Sequence, residues 1–278
     1  MSFSFLDGIR VLDLSQFLPG PLAGQILADL GADVVKVEPP QGDPLLSQDP
    51  VSGLHGSHGG DALSPFNTVL NAGKRVVRLD LKSADGQAAF RDMIQSVDVV
   101  VESFRPGVID RLGFGFDAAR AMNPSLIYCS HAGYGQTGPK RTAAGHDLNY
   151  MAFSGALSQA GDANGPTIAW PPMVDCAGAV VSPLSIRGAL VRGGRTGEGT
   201  YLDVAMADCV LSWQALGLTA DRLNGPHGRG QGLLTGGAAF YRAYKTKDGR
   251  YLTVGALEAP LWRNFCQALG REDRTGRQ

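Results

Sequence analysis

One histidine and one aspartate, His146 and Asp175, carry the clearest chemistry in this 278-residue chain. His146 and Asp147 sit in Gly145-His146-Asp147-Leu148-Asn149-Tyr150, after a Gly-rich polar loop. Asp175 comes 29 positions after His146, behind a loop with three prolines, in Met173-Val174-Asp175. A histidine titrates near neutrality, and burial can raise an aspartate toward it. Two such groups, each beside a chain reversal, form a candidate pair of acid/base groups. The same residues also suit a plainer role. His146 and Asp147 can cap one helix and Asp175 the next, and spacing alone favours capping.

The elements that must position these residues read as alternating strands and helices. Residues 9–14 form a short buried strand, Leu18-Pro19-Gly20-Pro21 a turn, 22–30 a helix closed by Gly31, and 34–37 a second strand stopped by Pro39-Pro40. Glu38 at the end of that strand invites a dinucleotide reading. The turn lacks G-x-G-x-x-G, however, and Pro21 removes an N–H that a pyrophosphate would need, so a plain α/β unit is preferred. Further strands are expected at 76–81, 97–102 and 126–130, with a helix over 83–96 capped by Ser83 and a short one at 108–112. This alternation predicts an α/β fold, a doubly wound parallel sheet. Beyond Asp175 the pattern gives a helix over 177–191, a strand at 201–205 and a helix over 206–218. Residues 224–237 are Gly-rich, strands at 239–245 and 250–255 flank an Asp248-Gly249 turn, and a last helix spans 261–269. The expected organisation is a large domain over 1–220 and a linker with a partial, smaller α+β domain over 221–278.

Ligands in such sheets sit beyond the carboxyl ends of the strands. Lys36, Arg105 and the Ser130–Gly133 turn lie at strand ends, and Lys74 lies just before one. Together these cations suit a ligand with several phosphates, although each taken singly reads as a solvated charge. Residues 41–64 form a long loop expected to line a substrate pocket, with His55 and His58 solvated.

The composition limits the alternatives. The chain is 44% hydrophobic and 18% charged with net charge −1, which gives no field for nucleic acid or an acidic membrane. No apolar run approaches the ~20 residues of a membrane span, and no basic-then-apolar leader is evident. Four cysteines lie far apart with no paired spacing, which argues against a metal site and for a reduced, cytoplasmic setting.

The chain resembles the family III CoA-transferase superfamily and, within it, the α-methylacyl-CoA racemases. The stretches that carry the resemblance run in order along nearly the whole chain. They include Leu6-Asp7-Gly8-Ile9-Arg10-Val11-Leu12-Asp13-Leu14, Gly31-Ala32-Asp33-Val34-Val35-Lys36-Val37-Glu38 and Glu102-Ser103-Phe104-Arg105-Pro106-Gly107. Gly133-Tyr134-Gly135-Gln136-Thr137-Gly138-Pro139, the Gly145–Tyr150 stretch and Arg195-Thr196-Gly197-Glu198-Gly199 complete the set. The resemblance implies a substrate that is an acyl-CoA thioester, with coenzyme A as part of the substrate and no bound prosthetic group. Asp175 matches an aspartate that serves as an acid/base in the racemases and as a nucleophile in the transferases. His146 matches the second acid/base of the racemases, and Glu258 an acid that pairs with it. Lys36, Lys74 and Arg105 match the CoA-binding region, and the turn bearing Gly145, Asp147, Asn149 and Tyr150 would lie against pantetheine and thioester.

The expected activity is racemisation of 2-methylacyl-CoA thioesters, with backbone N–H groups at the start of the Asp175 helix holding the enolate. The alternatives are CoA transfer to a carboxylate and a non-catalytic CoA-binding homologue. The resemblance also implies a homodimer of interlocked rings. The family's C-terminal return segment has no counterpart within this sequence.

Overall fold

The computed structural model describes residues 4–46 and 64–278. His55, His58 and most of the expected 41–64 loop lie outside the described residues. Two compact units are present, one of Met1–Tyr150 with Pro171–Val210 and the other of Met151–Trp170 with Leu211–Gln278. The expected single boundary near residue 220 therefore falls ten residues earlier, and the second unit also takes Met151–Trp170.

The first unit is built on β1 (Arg10–Asp13), α1 (Pro19–Asp29), β2 (Asp33–Glu38), α2 (Pro65–Leu70), β3 (Arg75–Arg78), α3 (Ala84–Gln95) and β4 (Val99–Glu102). It continues with α4 (Val108–Arg111), α5 (Phe116–Met122), β5 (Ile127–Ala132) and α6 (Asp147–Phe153). After α7 (Ala156–Gln159) and the two-residue strands β6 (Gly161–Asp162) and β7 (Gly165–Pro166) of the other unit come α8 (Met173–Thr196), β8 (Thr200–Ala205) and α9 (Met206–Trp213). The six long strands pair in the order β3-β2-β1-β4-β5-β8, all parallel. This is the doubly wound sheet expected from the alternation, with its order reversing between β1 and β4.

Interior strands of such a sheet are covered on both faces, so they read as continuous apolar runs. Every residue of Val99–Glu102 is buried. One face packs α3 and α5 over a core of Leu12, Leu14, Phe90, Ile94, Phe114 and Tyr128. Phe90 meets Phe114 edge-on at 4.8 Å, and the Tyr128 hydroxyl donates to the Phe114 carbonyl at 2.9 Å. The opposite face carries α1 and α8, which also pack on each other. α1 starts at Pro19, earlier than expected, with proline in the first turn where a missing N–H costs nothing. Its Gly24 lies so close to the sheet that a Cβ there would stand 2.5 Å from the Asp13 carboxylate.

α8 runs 24 residues, longer at both ends than the expected 177–191, and ends at Gly197 in the left-handed conformation. It is the one helix among the described residues long and apolar enough to cross a membrane, a length the sequence reading did not assign it. It packs on α1, β5 and β8 with Val174, Ala177 and Ile186 buried, and leaves Val180, Leu184 and Val191 exposed.

In the second unit, α10 (Ala215–Asn224) is separated from α9 by Gln214, where one continuous helix was expected. The Asp-Gly hairpin forms as β9 (Tyr241–Lys245) and β10 (Tyr251–Gly255), with Gly249 at φ 84°. α11 (Ala259–Ala268) closes a small core of Val254, Ala256, Trp262 and Cys266.

Candidate active-site cleft

The carboxyl ends of β1, β4 and β5 open onto a cleft of about 530 Å³, at the point where the strand order reverses. Gln16 and Phe17 follow β1, Ser103, Phe104 and Arg105 follow β4, and His131 to Tyr134 close β5. The β1 and β4 turns are tied together, because the Gln16 N–H donates to Ser103 Oγ at 3.0 Å. The β4 turn is in turn fixed by buried Glu102, whose Oε2 accepts from the Phe104 N–H at 2.8 Å. Burial lifts the Glu102 carboxyl to about 7, against the hydrogen bonds from Ser130 and Phe104. Phe17 is the one non-glycine residue with positive φ among the described residues, at 64°, and its exposed ring faces the cleft.

The far wall comes from the Gly145–Tyr150 turn. Gly133 admits the Tyr150 ring, since a Cβ there would stand 2.3 Å from it. Tyr150 packs edge-on to Tyr134 at 4.9 Å and donates to the Gly145 carbonyl at 2.6 Å, which holds the turn shut. His146 is the N-cap of α6. Its carbonyl accepts from Asn149 and Tyr150, and its N–H donates to Asn149 Oδ1 at 3.1 Å. The His146 side chain is exposed and lines the cleft.

Asp175 also lines this cleft, at the third position of α8. Burial, then the neighbouring Asp147 charge, raises its carboxyl to about 7. The cap expected of Asp147 is present but serves another helix. Its Oδ1 accepts from the N–H groups of Val174 at 2.6 Å and Asp175 at 3.1 Å. The Asp175 N–H, expected to hold an enolate, is therefore already taken. So is that of Val174.

Arg105 lies exposed at the cleft, joined by Arg141, which the sequence reading did not single out. Lys36 and Lys74 are placed differently from the expectation that they hold phosphates. Lys36 is 1% exposed, donates to the Ser15 carbonyl and pairs with Asp43 at 3.0 Å. Lys74 spends all three of its protons, on Asp13 Oδ2 at 2.8 Å, the Pro21 carbonyl at 2.7 Å and Asn71 Oδ1 at 2.9 Å. Burial opposes the Asp13 charge, yet the two lysines and the hydrogen bonds from Lys74 and Ser15 hold its carboxyl below the usual range. Both ammonium groups serve the fold: Lys74 has no donor left for a ligand, and Lys36 is buried against Ser15 and Asp43. Glu258 belongs to the second unit, exposed at the N-cap position of α11.

His131 was read only as part of a strand-end turn, but it is fully buried beneath the cleft. Ser182 Oγ donates to the Gly178 carbonyl at 2.9 Å, so it must accept from His131 Nδ1, also at 2.9 Å. This fixes the neutral tautomer with its proton on Nδ1, and burial lowers the imidazole to about 4. No local signal in the sequence links residues 131 and 182. Among the described residues no group of three or more His, Cys, Asp or Glu could hold a metal.

The chain matches the model of CoA-transferase family III over residues 6–278. It is 36% identical to an acyl-CoA transferase of Fusarium pseudograminearum, across 96% of this chain and 59% of that protein. It is also 36% identical to an α-methylacyl-CoA racemase of Mus musculus, across 96% of this chain and 65% of that protein. The crystal structure of a CAIB/BAIF family protein from Brucella suis superposes with a TM-score of 0.83 at 29% identity, covering 98% of this chain and 71% of that one. The chain thus spans 59% and 65% of the length of these two curated relatives.

Proposed function

The chain belongs to CoA-transferase family III, and from that premise we propose that it racemises 2-methylacyl-CoA thioesters by moving the α-proton between His146 and Asp175. The observation that carries this reading is the meeting of the two residues in one cleft of the first unit, with Asp175 held near pKa 7 by burial and by Asp147. A carbon acid beside a thioester is weak, so removing its proton needs a base on one face and a donor on the other. In one direction neutral His146 takes the α-proton, the electron pair passes into the thioester carbonyl, and protonated Asp175 returns a proton to the opposite face. In the reverse direction the roles exchange. Each such group contributes roughly 10²–10⁴-fold.

The enolate oxygen needs donors. With the Val174 and Asp175 N–H groups occupied, this reading assigns the role to the N–H groups of Asp147 and Leu148 at the start of α6, which have no acceptor among the described residues. Arg105 and Arg141 supply charge for CoA phosphates, and the guanidinium fork suits two oxygens at once. An adjoining cavity of about 300 Å³, walled by Leu14, Val37, Leu79 and Phe104, supports placing the nucleotide end of CoA there.

A second reading keeps the same cleft. Asp175 attacks the thioester carbonyl, forming an acyl anhydride and releasing CoA thiolate, as befits the family's transferases. The relative named acyl-CoA transferase, as similar to this chain as the racemase, favours keeping it. The variants His146→Ala and Asp175→Ala separate the two. Under racemisation each loses at least 10²-fold in turnover while CoA still binds by calorimetry. Full activity in His146→Ala would remove the racemase assignment, and a hydroxylamine-sensitive adduct at Asp175 would establish the transferase.

A further inference from the structure

α8 begins in an unusual way. The residue at its N-cap is Pro172, which makes no side-chain cap bond and has no N–H of its own. An acid at the third helical position ordinarily reaches back to the N-cap N–H. Asp175 occupies that position and has nothing to reach for. The open N–H groups of Val174 and Asp175 are met instead by one oxygen of Asp147, 27 and 28 residues upstream, at 2.6 and 3.1 Å. Asp147 is the first residue of α6, directly after His146. One carboxylate therefore joins the helix start that bears the histidine to the helix start that bears the aspartate.

We propose that Asp147 is a positioning residue that clamps the starts of α6 and α8 together, so that His146 and Asp175 are held as one piece across the cleft. The clamp has an electrostatic side. Two carboxylates stand at the positive end of a 24-residue helix, and only one receives its N–H groups. Asp147 takes them. Asp175, half-buried beside it, is left with its carboxyl raised to about 7, by burial first and then by Asp147. The other groups in reach of Asp175 are Tyr150 and Cys176, each raised by burial first and in part by Asp175 itself. Arg105, Arg141, His131 and His146 share the cleft wall. Of all these, only Asp147 is a like charge that acts on Asp175.

This inference rests on reading His146 and Asp175 as the reacting pair, but its test does not use the reaction. Carboxyl-¹³C aspartate is incorporated into the whole chain, and Asp175 is assigned with Asp175→Asn and titrated by NMR without substrate. Asp147→Asn keeps an oxygen for both N–H groups and removes the charge. The Asp175 midpoint then falls by about one unit, while the Val174 and Asp175 amides keep their protection. Asp147→Ala removes both, so the midpoint falls and those two amides exchange roughly 10-fold faster. An unchanged midpoint in Asp147→Asn, or unchanged amide exchange in a folded Asp147→Ala, overturns the clamp. Should Asp147→Ala not fold, the Asn variant decides alone. Loss of the reaction reading would appear only in turnover assays, and failure of the clamp only in this titration.

Discussion

A carboxyl that keeps its proton near neutrality has little to gain from surface duty, and Asp175 is such a group, raised to about 7 by burial and by Asp147. The two proposed reactions ask opposite things of it. Proton exchange between His146 and Asp175 needs one proton shared by the pair, so both epimers follow one bell-shaped profile, lost when the pair is doubly protonated and again when it is bare. CoA transfer needs Asp175 ionised, so it rises through about pH 7 and then holds. A kcat/KM profile from pH 5 to 9 is therefore expected to be a bell, and a plateau above 7 would speak for transfer. Much of this scale was legible. The Gly145–Tyr150 stretch and Asp175 were singled out by residue type and by the family resemblance, since spacing alone favoured a capping role for them. The carboxylate of Asp147 did not, because its partners are 27 and 28 residues away and are backbone N–H groups, which any sequence supplies. Lys36 and Lys74 misled for a related reason. A lysine at a strand end looks the same whether its ammonium meets water or a buried aspartate.

Elements deliver these residues through a few close approaches. β1, α1 and α2 meet at the Asp13–Lys74 pair, with the Lys74 ammonium also donating to the Pro21 carbonyl in the first turn of α1 and to the Asn71 side chain at the end of α2. Both side chains are wholly buried. Removing one partner of a buried pair strands the other charge, which costs about 3–5 kcal/mol. Lys74→Met is therefore expected to lower unfolding stability in urea by about that amount and to loosen the Gln16-Phe17 turn that borders the cleft. A loss near zero would mean that the pair is not closed as described. The sheet and its helices were readable from alternating periods of two and 3.6 residues. The length of α8 was not, because its first turn holds Asp175 behind Pro172 and its last turn holds polar residues, so the apolar pattern covers only the middle. The break at Gln214 also escaped, since apolar residues continue on both sides of it.

At the scale of the molecule, the order β3-β2-β1-β4-β5-β8 places one reversal in the sheet, and the cleft lies at that reversal. Strand order was beyond the sequence, which shows alternation but not which strands neighbour one another, while the expectation that a ligand sits at the carboxyl ends needed only the parallel sheet. The Met151–Trp170 excursion into the second unit went unseen for the same reason. Identity of 36% to both a transferase and a racemase leaves the reaction to the cleft, where the two groups share one space within the first unit. The most direct measurement is α-proton exchange. The whole chain is incubated with a single epimer of a 2-methylacyl-CoA in D₂O, and the α-proton signal and optical activity are followed together. The account predicts that both are lost, and that neither is lost with His146→Ala or Asp175→Ala. A folded protein that binds CoA, retains the α-proton and moves CoA onto a free carboxylate would contradict it.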